Sequence, residues 1–402
     1  MKKDDIFPGF ATSLEEILRE GARKLLQQAI ENEVSEHLAK QHEVRAEDNR
    51  KVVRRNGYLP ERSLQTGIGP VKVKQPRVRG EAYASAIVPK YSRRTPSLEA
   101  LIPALYLKGI STGNMEEALA AILGKNAQGL SPTNIVRLKQ SWEKEYEDWG
   151  RRDLSGKQYV YIWADGIYFN VRLSEERPCL LVIIGARSDG KKELLAIHDG
   201  MRESTLSWKE VLSDLKARGL NTAPRLAIGD GALGFWAALE EEMPSCRQQR
   251  CWVHKTANIL DKLPKSVQGN AKSLIHNMYM SPSKEGGLKV FDQFLRLYEV
   301  KYPKASKCLK KSKDQLFTFY DFPAEHWGHI RTTNPIESTF ASVRHRSRQT
   351  KGCGSRKATL SMVFKLSIEA EKRWRRLNNS QLMMKVVMNV KFKDGEEVKM
   401  AA

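Results

Sequence analysis

Three acidic residues stand where metal-assisted phosphodiester chemistry would need them. Asp165 closes the run Tyr159-Val160-Tyr161-Ile162-Trp163-Ala164-Asp165-Gly166. Asp230 closes Arg225-Leu226-Ala227-Ile228-Gly229-Asp230-Gly231, and Glu337 lies in Thr333-Asn334-Pro335-Ile336-Glu337-Ser338. The first two follow apolar, strand-like runs, and open α/β sheets carry their reactive groups at the carboxyl ends of strands. Three convergent carboxylates would offer hard oxygen ligands to two Mg2+ ions, with Mn2+ as a substitute. Such a pair activates a water or a 3′-hydroxyl for in-line attack on phosphorus and stabilises the departing oxygen. The chain has 68 Lys and Arg against 47 Asp and Glu, a formal charge of +21, which points to nucleic acid as the phosphodiester.

Each acid also has a plainer reading. Asp-Gly is a turn dipeptide, and its recurrences at Asp189 and Asp199 read as turns. Glu337 fits a capping box, with Asn334 as N-cap and Pro335 as the first helical residue, a role compatible with chemistry because it holds the carboxylate rigidly. Cys251-Trp252-Val253-His254 has the spacing of half a zinc site, but no second Cys/His pair stands at zinc-finger spacing. His254 reads equally as a contact to the scissile phosphate or as a hydrogen-bonded packing histidine. Beyond Glu337 no acid occurs until Glu369, and Arg344 and Arg348 share the helix face of Glu337, where they would grip DNA.

The elements that must position these groups follow from periodicity. Residues 13 to 43 read as one helix, opened by a Ser13/Glu16 capping box and carrying an apolar stripe of Ile17, Leu18, Leu25, Leu26, Ala29, Ile30 and Val34. The stripe packs on its own domain or forms a dimer. Residues 44 to 94 hold 13 Lys and Arg against 4 Asp and Glu, a local charge of +9 that favours a DNA-binding surface. There Arg54-Arg55-Asn56-Gly57-Tyr58 reads as a basic turn and Val71 to Gln75 as a strand with a cationic face; Arg54, Arg55, Lys72, Lys74 and Arg77 are the candidate phosphate contacts. Residues 95 to 150 read as three helices with glycine-bearing breaks, in helix-turn-helix style. The last, opened by Ser131-Pro132, presents Thr133, Asn134, Arg137 and Lys139 near its start.

From 157 to 251 strands are expected at 159–164, 168–173, 179–187 and 192–198, with a hairpin turn at Ser188-Asp189-Gly190. A helix at 205–218, a strand at 225–229, a helix at 231–242 and a short strand at 246–249 follow. Several antiparallel strands, a helix, then a strand leaving an aspartate is the element order of a ribonuclease H-like core. Residues 252 to 330 read as helical and interrupt that core. Glu337 lies on a helix over 335–350, and 358–384 reads as a final basic helix containing Lys372-Arg373-Trp374-Arg375-Arg376.

Taken together, Arg55-Asn56-Gly57-Tyr58, Gly109-Ile110-Ser111-Thr112-Gly113, Asp165-Gly166, Gly229-Asp230-Gly231-Ala232, Cys251-Trp252-Val253-His254 and Thr333-Asn334-Pro335-Ile336-Glu337 resemble, in order and spacing, the Mutator-type transposases of bacterial insertion sequences. The resemblance covers nearly the whole length. It implies a ribonuclease H-like catalytic core with an Asp-Asp-Glu triad, split by an all-helical insertion between the second Asp and the Glu. The gaps of 65 residues (230 − 165) and 107 residues (337 − 230) leave room for that insertion. The implied organisation is an N-terminal helix over 1–43, a basic segment over 44–94 and a helical DNA-binding domain over 95–150. The core follows over 157–251 and 331–402, around the insertion.

The expected function is therefore that of a DNA transposase that binds its element's terminal inverted repeats, nicks the ends and joins a 3′-hydroxyl to target DNA, as a homodimer holding two ends. Two other classes compete: a ribonuclease H-like nuclease or junction resolvase without strand transfer, and a non-catalytic DNA-binding repressor. The second leaves the three placed carboxylates without a use. Five cysteines without framework spacing, no secretory signal, and no apolar run beyond Cys179 to Ala186 suit a bacterial cytoplasmic, nucleoid-associated protein.

Overall fold

The computed structural model describes residues 14–41, 52–80, 82–111, 114–123, 132–169, 179–200, 202–231, 233–349 and 355–398. The chain divides into two compact units, Met1–Leu138 and Lys139–Ala402. In the first, helix α1 (Leu14–Lys40) is followed by strands β1 (Arg54–Tyr58), β2 (Arg62–Thr66), β3 (Gly69–Val73) and β4 (Pro76–Arg79), then helices α2 (Pro96–Leu107) and α3 (Met115–Leu123). β2 pairs antiparallel with β3, and β1 with β4. Strand alternation turns Val71 and Val73 inward, where they meet Leu64, Val88 and Ile30 of α1, while Lys72 stays outside. The α1 stripe is split accordingly: Ile30 and Val34 are buried, whereas Ile17, Leu18 and Leu25 are exposed.

The basic turn expected at 54–58 is instead a bulged strand. Gly57 takes a left-handed conformation (φ 69°) and absorbs a register shift between Arg55 and Tyr58, so Arg54 and Arg55 still pair with Arg79 and Val78. Helix α4 (Pro132–Gly150) runs across the division between the units. Its second half belongs to the second unit: the Tyr146 hydroxyl donates to the Ile197 carbonyl at 2.8 Å, and Phe364 meets the Tyr146 ring edge-on and the Trp149 ring at a tilt.

The second unit is built on a five-stranded mixed sheet in the order β7-β6-β5-β8-β9. Its strands are β5 (Tyr159–Tyr168), β6 (Cys179–Arg187), β7 (Lys192–Gly200), β8 (Leu226–Gly229) and β9 (Arg247–Arg250). β5, β6 and β7 form an antiparallel meander, and β8 and β9 run parallel to β5. Helices α5 (Thr205–Ala217) and α6 (Leu233–Glu242) cover one face: Trp208, Val211, Leu212, Phe235 and Leu239 pack on Ile162, Ala164, Leu181, Ile183 and Ala227.

Period-two alternation sends Tyr161, Trp163 and Asp165 to the opposite face. That face is covered by the end of a helical segment comprising α7 (Trp252–Leu260), α8 (Lys265–Met280), α9 (Lys284–Tyr298), α10 (Pro303–Lys310), α11 (Lys313–Leu316) and α12 (Trp327–Ile330). It is then covered by α13 (Asn334–Gln349) and α14 (Arg356–Glu371), with α15 (Leu382–Val387) near the C-terminus. Trp163 Nε1 donates to the His329 carbonyl at 3.0 Å, and the Tyr161 hydroxyl bonds His326 Nδ1 at 2.9 Å, both side chains being buried. Tyr161→Phe strands that imidazole nitrogen, and we expect a loss of about 1–3 kcal/mol of stability by denaturant titration. An unchanged midpoint would show the bond to contribute nothing.

Three further expectations are corrected. The strands expected at 159–164 and 168–173 are joined: β5 runs unbroken through Asp165 and Gly166, because these pair in the ladder with Val182 and Leu181; residues 170–173 lie outside the described residues. Asp199 is not a turn residue but a strand residue, bidentate to Arg356 at 2.9 and 3.0 Å. The final helix stops at Glu371, since the Lys192 ammonium donates to the Arg375 carbonyl and the Leu377 N–H to the Gly190 carbonyl. Those bonds peel Lys372 to Arg376 away from helical geometry.

Candidate active site

Register alone brings the first two acids side by side. β5 pairs with β8 at Ala164↔Gly229, so Asp165 and Asp230 are the next residues along adjacent parallel strands. β8 pairs with β9 at Gly229↔Arg250, and the Cys251 N–H donates to the Gly229 carbonyl at 2.8 Å. Helix α7 begins there, which places His254 in its first turn at the same level of the sheet. The start of α13 is pinned to this point. Trp252 N–H donates to the Arg331 carbonyl (3.0 Å), and the Thr333 N–H and hydroxyl both reach Cys251 Sγ at 3.3 Å.

The result is a cluster of Asp165, His254 and Glu337 whose ligand atoms lie within 4.8 Å of one another. His254 Nε2 sits 3.2 Å from Glu337 Oε1, and its Nδ1 lies 3.3 Å from the Thr333 hydroxyl. Arg344 Nη1 donates to Glu337 Oε2 at 3.1 Å, so this arginine holds the acid in addition to facing solvent. The expected capping box is not formed. The first helical acceptor is the Thr333 carbonyl, which takes the Glu337 N–H, and the Glu337 side chain is spent on His254 and Arg344. Asp230 stands beside the cluster; its carbonyl accepts from Arg250 Nη1 (2.8 Å) and Trp236 Nε1 (2.9 Å).

Electrostatics mark the site. Burial pushes Asp165, which is 7% exposed, up to about 7; the charges of Asp230 and Glu337 act the same way and the His254 charge opposes them. Hydrogen bonds to Cys251 and Glu337 push His254 up to about 11, so it is an imidazolium. Its bond in turn lowers Glu337. Burial raises the Cys251 thiol, but the bonds to His254 and Thr333 outweigh it and leave the thiol below its ordinary value. This hydrogen-bonded Cys251 packs against protein groups on the 251–254 turn. The carboxylates of Asp165 and Glu337, with Asp230 adding its negative field, are oxygen donors that suit a hard divalent cation, and the His254 imidazolium stands beside them as a charge, not as a ligand.

The remaining sequence candidates are spread over other surfaces. Arg54 and Arg77 are exposed on the β1–β4 ribbon. Arg55 is tied to Glu31 at 2.8 Å and lies over the Tyr58 ring, as does Lys74, while Lys72 pairs with Glu61 at 3.4 Å. Arg137 is exposed on α4, whereas the side chains of Thr133 and Asn134 lie outside the described residues. Arg348 is exposed on α13.

Sequence reasoning missed two contributors. Thr333 has no titrating group to advertise it, yet its hydroxyl bridges Cys251 and His254. Glu203, in the loop between β7 and α5, is pushed by burial to about 7, with Asp230 raising it further and His254 opposing. Its signal was an acid between a strand end and a helix start, the same signal that flagged Asp230.

The sequence model of a family described as "Transposase, Mutator family" matches residues 5–377. The chain is 51% identical over 288 residues to the transposase for insertion sequence element IST2 of Acidithiobacillus ferrooxidans, covering 70% of this chain and 95% of that protein. It is 48% identical to the transposase for IS6120 of Mycolicibacterium smegmatis, over 73% of this chain and 91% of that one. It is 27% identical to the transposase for IS256 in transposon Tn4001 of Staphylococcus aureus, over 80% and 81%. A solved strand transfer complex of the Drosophila P element transposase aligns over 77% of this chain and 86% of that one, at 10% identity and a TM-score of 0.26, too distant to carry an argument. No described helix is long and apolar enough to cross a membrane. On the match along nearly its whole length, the chain belongs to the Mutator family of transposases.

Proposed function

We propose that this transposase cleaves the ends of its insertion sequence and joins them to target DNA through Asp165, Asp230 and Glu337, in a ribonuclease H-like core. The observation that carries the reading is the convergence of Asp165, Glu337 and His254 at the level of the sheet where β8 delivers Asp230. Two divalent cations, Mg2+ or Mn2+, would be held by Asp165, Asp230 and Glu337, and supply activation of the attacking hydroxyl and neutralisation of charge on the leaving oxygen. Asp165, on a strand inside the ladder, is fixed against movement. Glu337 is oriented from both sides by His254 and Arg344. The His254 imidazolium directs its Nε2–H at Glu337 and carries positive charge beside the position a phosphate would take.

The exposed cations of the N-terminal unit and of α13 would bind the terminal inverted repeats and target DNA as a duplex, in a homodimer that holds two ends. The experiment for the whole reading is a strand-transfer assay with element-end DNA. Joined product supports a transposase, cleavage without joining a nuclease, and binding without cleavage a repressor. For the binding surface, Arg54→Ala and Arg77→Ala should each weaken binding and lower the slope of log affinity against log salt by about 0.9. A slope unchanged in both variants would move the duplex to another face.

A further inference from the structure

We propose that Glu203 is a fourth acid of this reaction centre, a positioning residue that strengthens its hold on a divalent cation from the Asp230 side. The inference rests on the reading of Asp165, Asp230 and Glu337 given above. It starts from two glycines. A Cβ added at Gly166, the neighbour of Asp165, would meet Glu203 Cδ at 2.6 Å and collide with its Oε1. A Cβ added at Gly234, in the first turn of the helix that follows Asp230, would collide with the Glu203 carbonyl and meet Ser204 C at 2.7 Å. Glu203 is therefore packed against both segments that carry the strand-end aspartates. Gly166 lies inside a continuous strand, where glycine is otherwise unfavourable, and the Glu203 carboxylate occupies the space that a side chain there would take.

The carboxylate has little else to do. Helix α5 is capped by Ser204, whose hydroxyl accepts the Ser207 N–H, so Glu203 is not the cap. Among the described residues its carboxylate has no ion pair, and its hydrogen-bond partner is the weak Cys179 thiol at 4.0 Å. A half-buried carboxylate with so poor a partner is costly to keep. It lies within the fields of Asp230 and His254, and a cation held by the neighbouring acids would compensate it.

The test compares wild type with Glu203→Gln, which keeps shape and removes charge, and with Gly166→Ala, which keeps the acid but pushes its carboxylate away. Mn2+ binding is measured by calorimetry without DNA, and end cleavage is followed across a Mg2+ titration. Glu203→Gln should weaken Mn2+ binding by about 10-fold or more, as loss of a supporting partner at a metal site does, and shift the Mg2+ dependence of cleavage upward, with recovery at high Mg2+. Gly166→Ala should do the same, and the double variant should lose no more than either single one. Unchanged Mn2+ affinity in Glu203→Gln, or a loss of cleavage equal at every Mg2+ concentration, overturns the proposal. If Asp165→Asn and Asp230→Asn also cleave normally, the parent reading fails; if they are inactive while Glu203→Gln behaves as wild type, the role of Glu203 alone fails.

Discussion

Asp165→Asn should abolish end cleavage and strand joining, a fall on the order of 10^3-fold or more, while leaving DNA affinity unchanged. The side chain is the most buried of the acids, sits in the strand ladder, and has no substitute at its position. The same variant carries a second, independent expectation. In the fold Asp165 titrates near 7, against 3.8 ordinarily, so the native state keeps a proton that the unfolded chain releases between those values. The native state therefore loses stability as pH rises from about 4 to about 7. Asparagine does not titrate, so in chelator-containing buffer the variant should exceed wild type by roughly 2–4 kcal/mol at pH 7, a gap that closes toward pH 4. Added Mg2+ should narrow it, since only wild type gains a counter-charge there. Denaturant titrations at several pH values measure the gap; a gap that does not change with pH would remove buried charge as its cause.

His254→Ala should slow cleavage by about 10^2–10^3-fold with DNA binding preserved. Removing the ring frees Glu337 Oε1 and leaves the Thr333 hydroxyl with Cys251 alone, so both the charge and the orientation at the centre are lost. His254 is raised in the fold to about 11 from 6.5, so the stability it confers is complete below pH 6.5 and is lost as pH rises through 11. The stability difference between wild type and variant should accordingly shrink above pH 10. Cleavage, end binding and unfolding are measured in parallel. Equal losses in all three would make His254 a packing residue.

Much of this protein is written in local sequence. The apolar run ending at Gly229 and the residue types around it determine β8 and α6, and Asn334-Pro335 starts a helix within a residue of where it reads. Such elements depend on alternation, helical period and proline stereochemistry, all of which act over a few residues. The family is legible too, because the motifs keep their order and spacing along the chain. Tertiary structure decided the partners. Asp-Gly is a turn in isolation, but at 165–166 the ladder with β6 holds it extended, and no local rule says that a carboxylate 37 positions later (203 − 166) fills the space beside Gly166. Likewise Glu337 is a sound capping residue by sequence, yet the start of α7, delivered by β9, offers it an imidazolium instead, and a charged partner outweighs a backbone N–H. The acids are chosen by local pattern; what surrounds each of them, and hence its charge and its work, is fixed by which strand ends the sheet brings together.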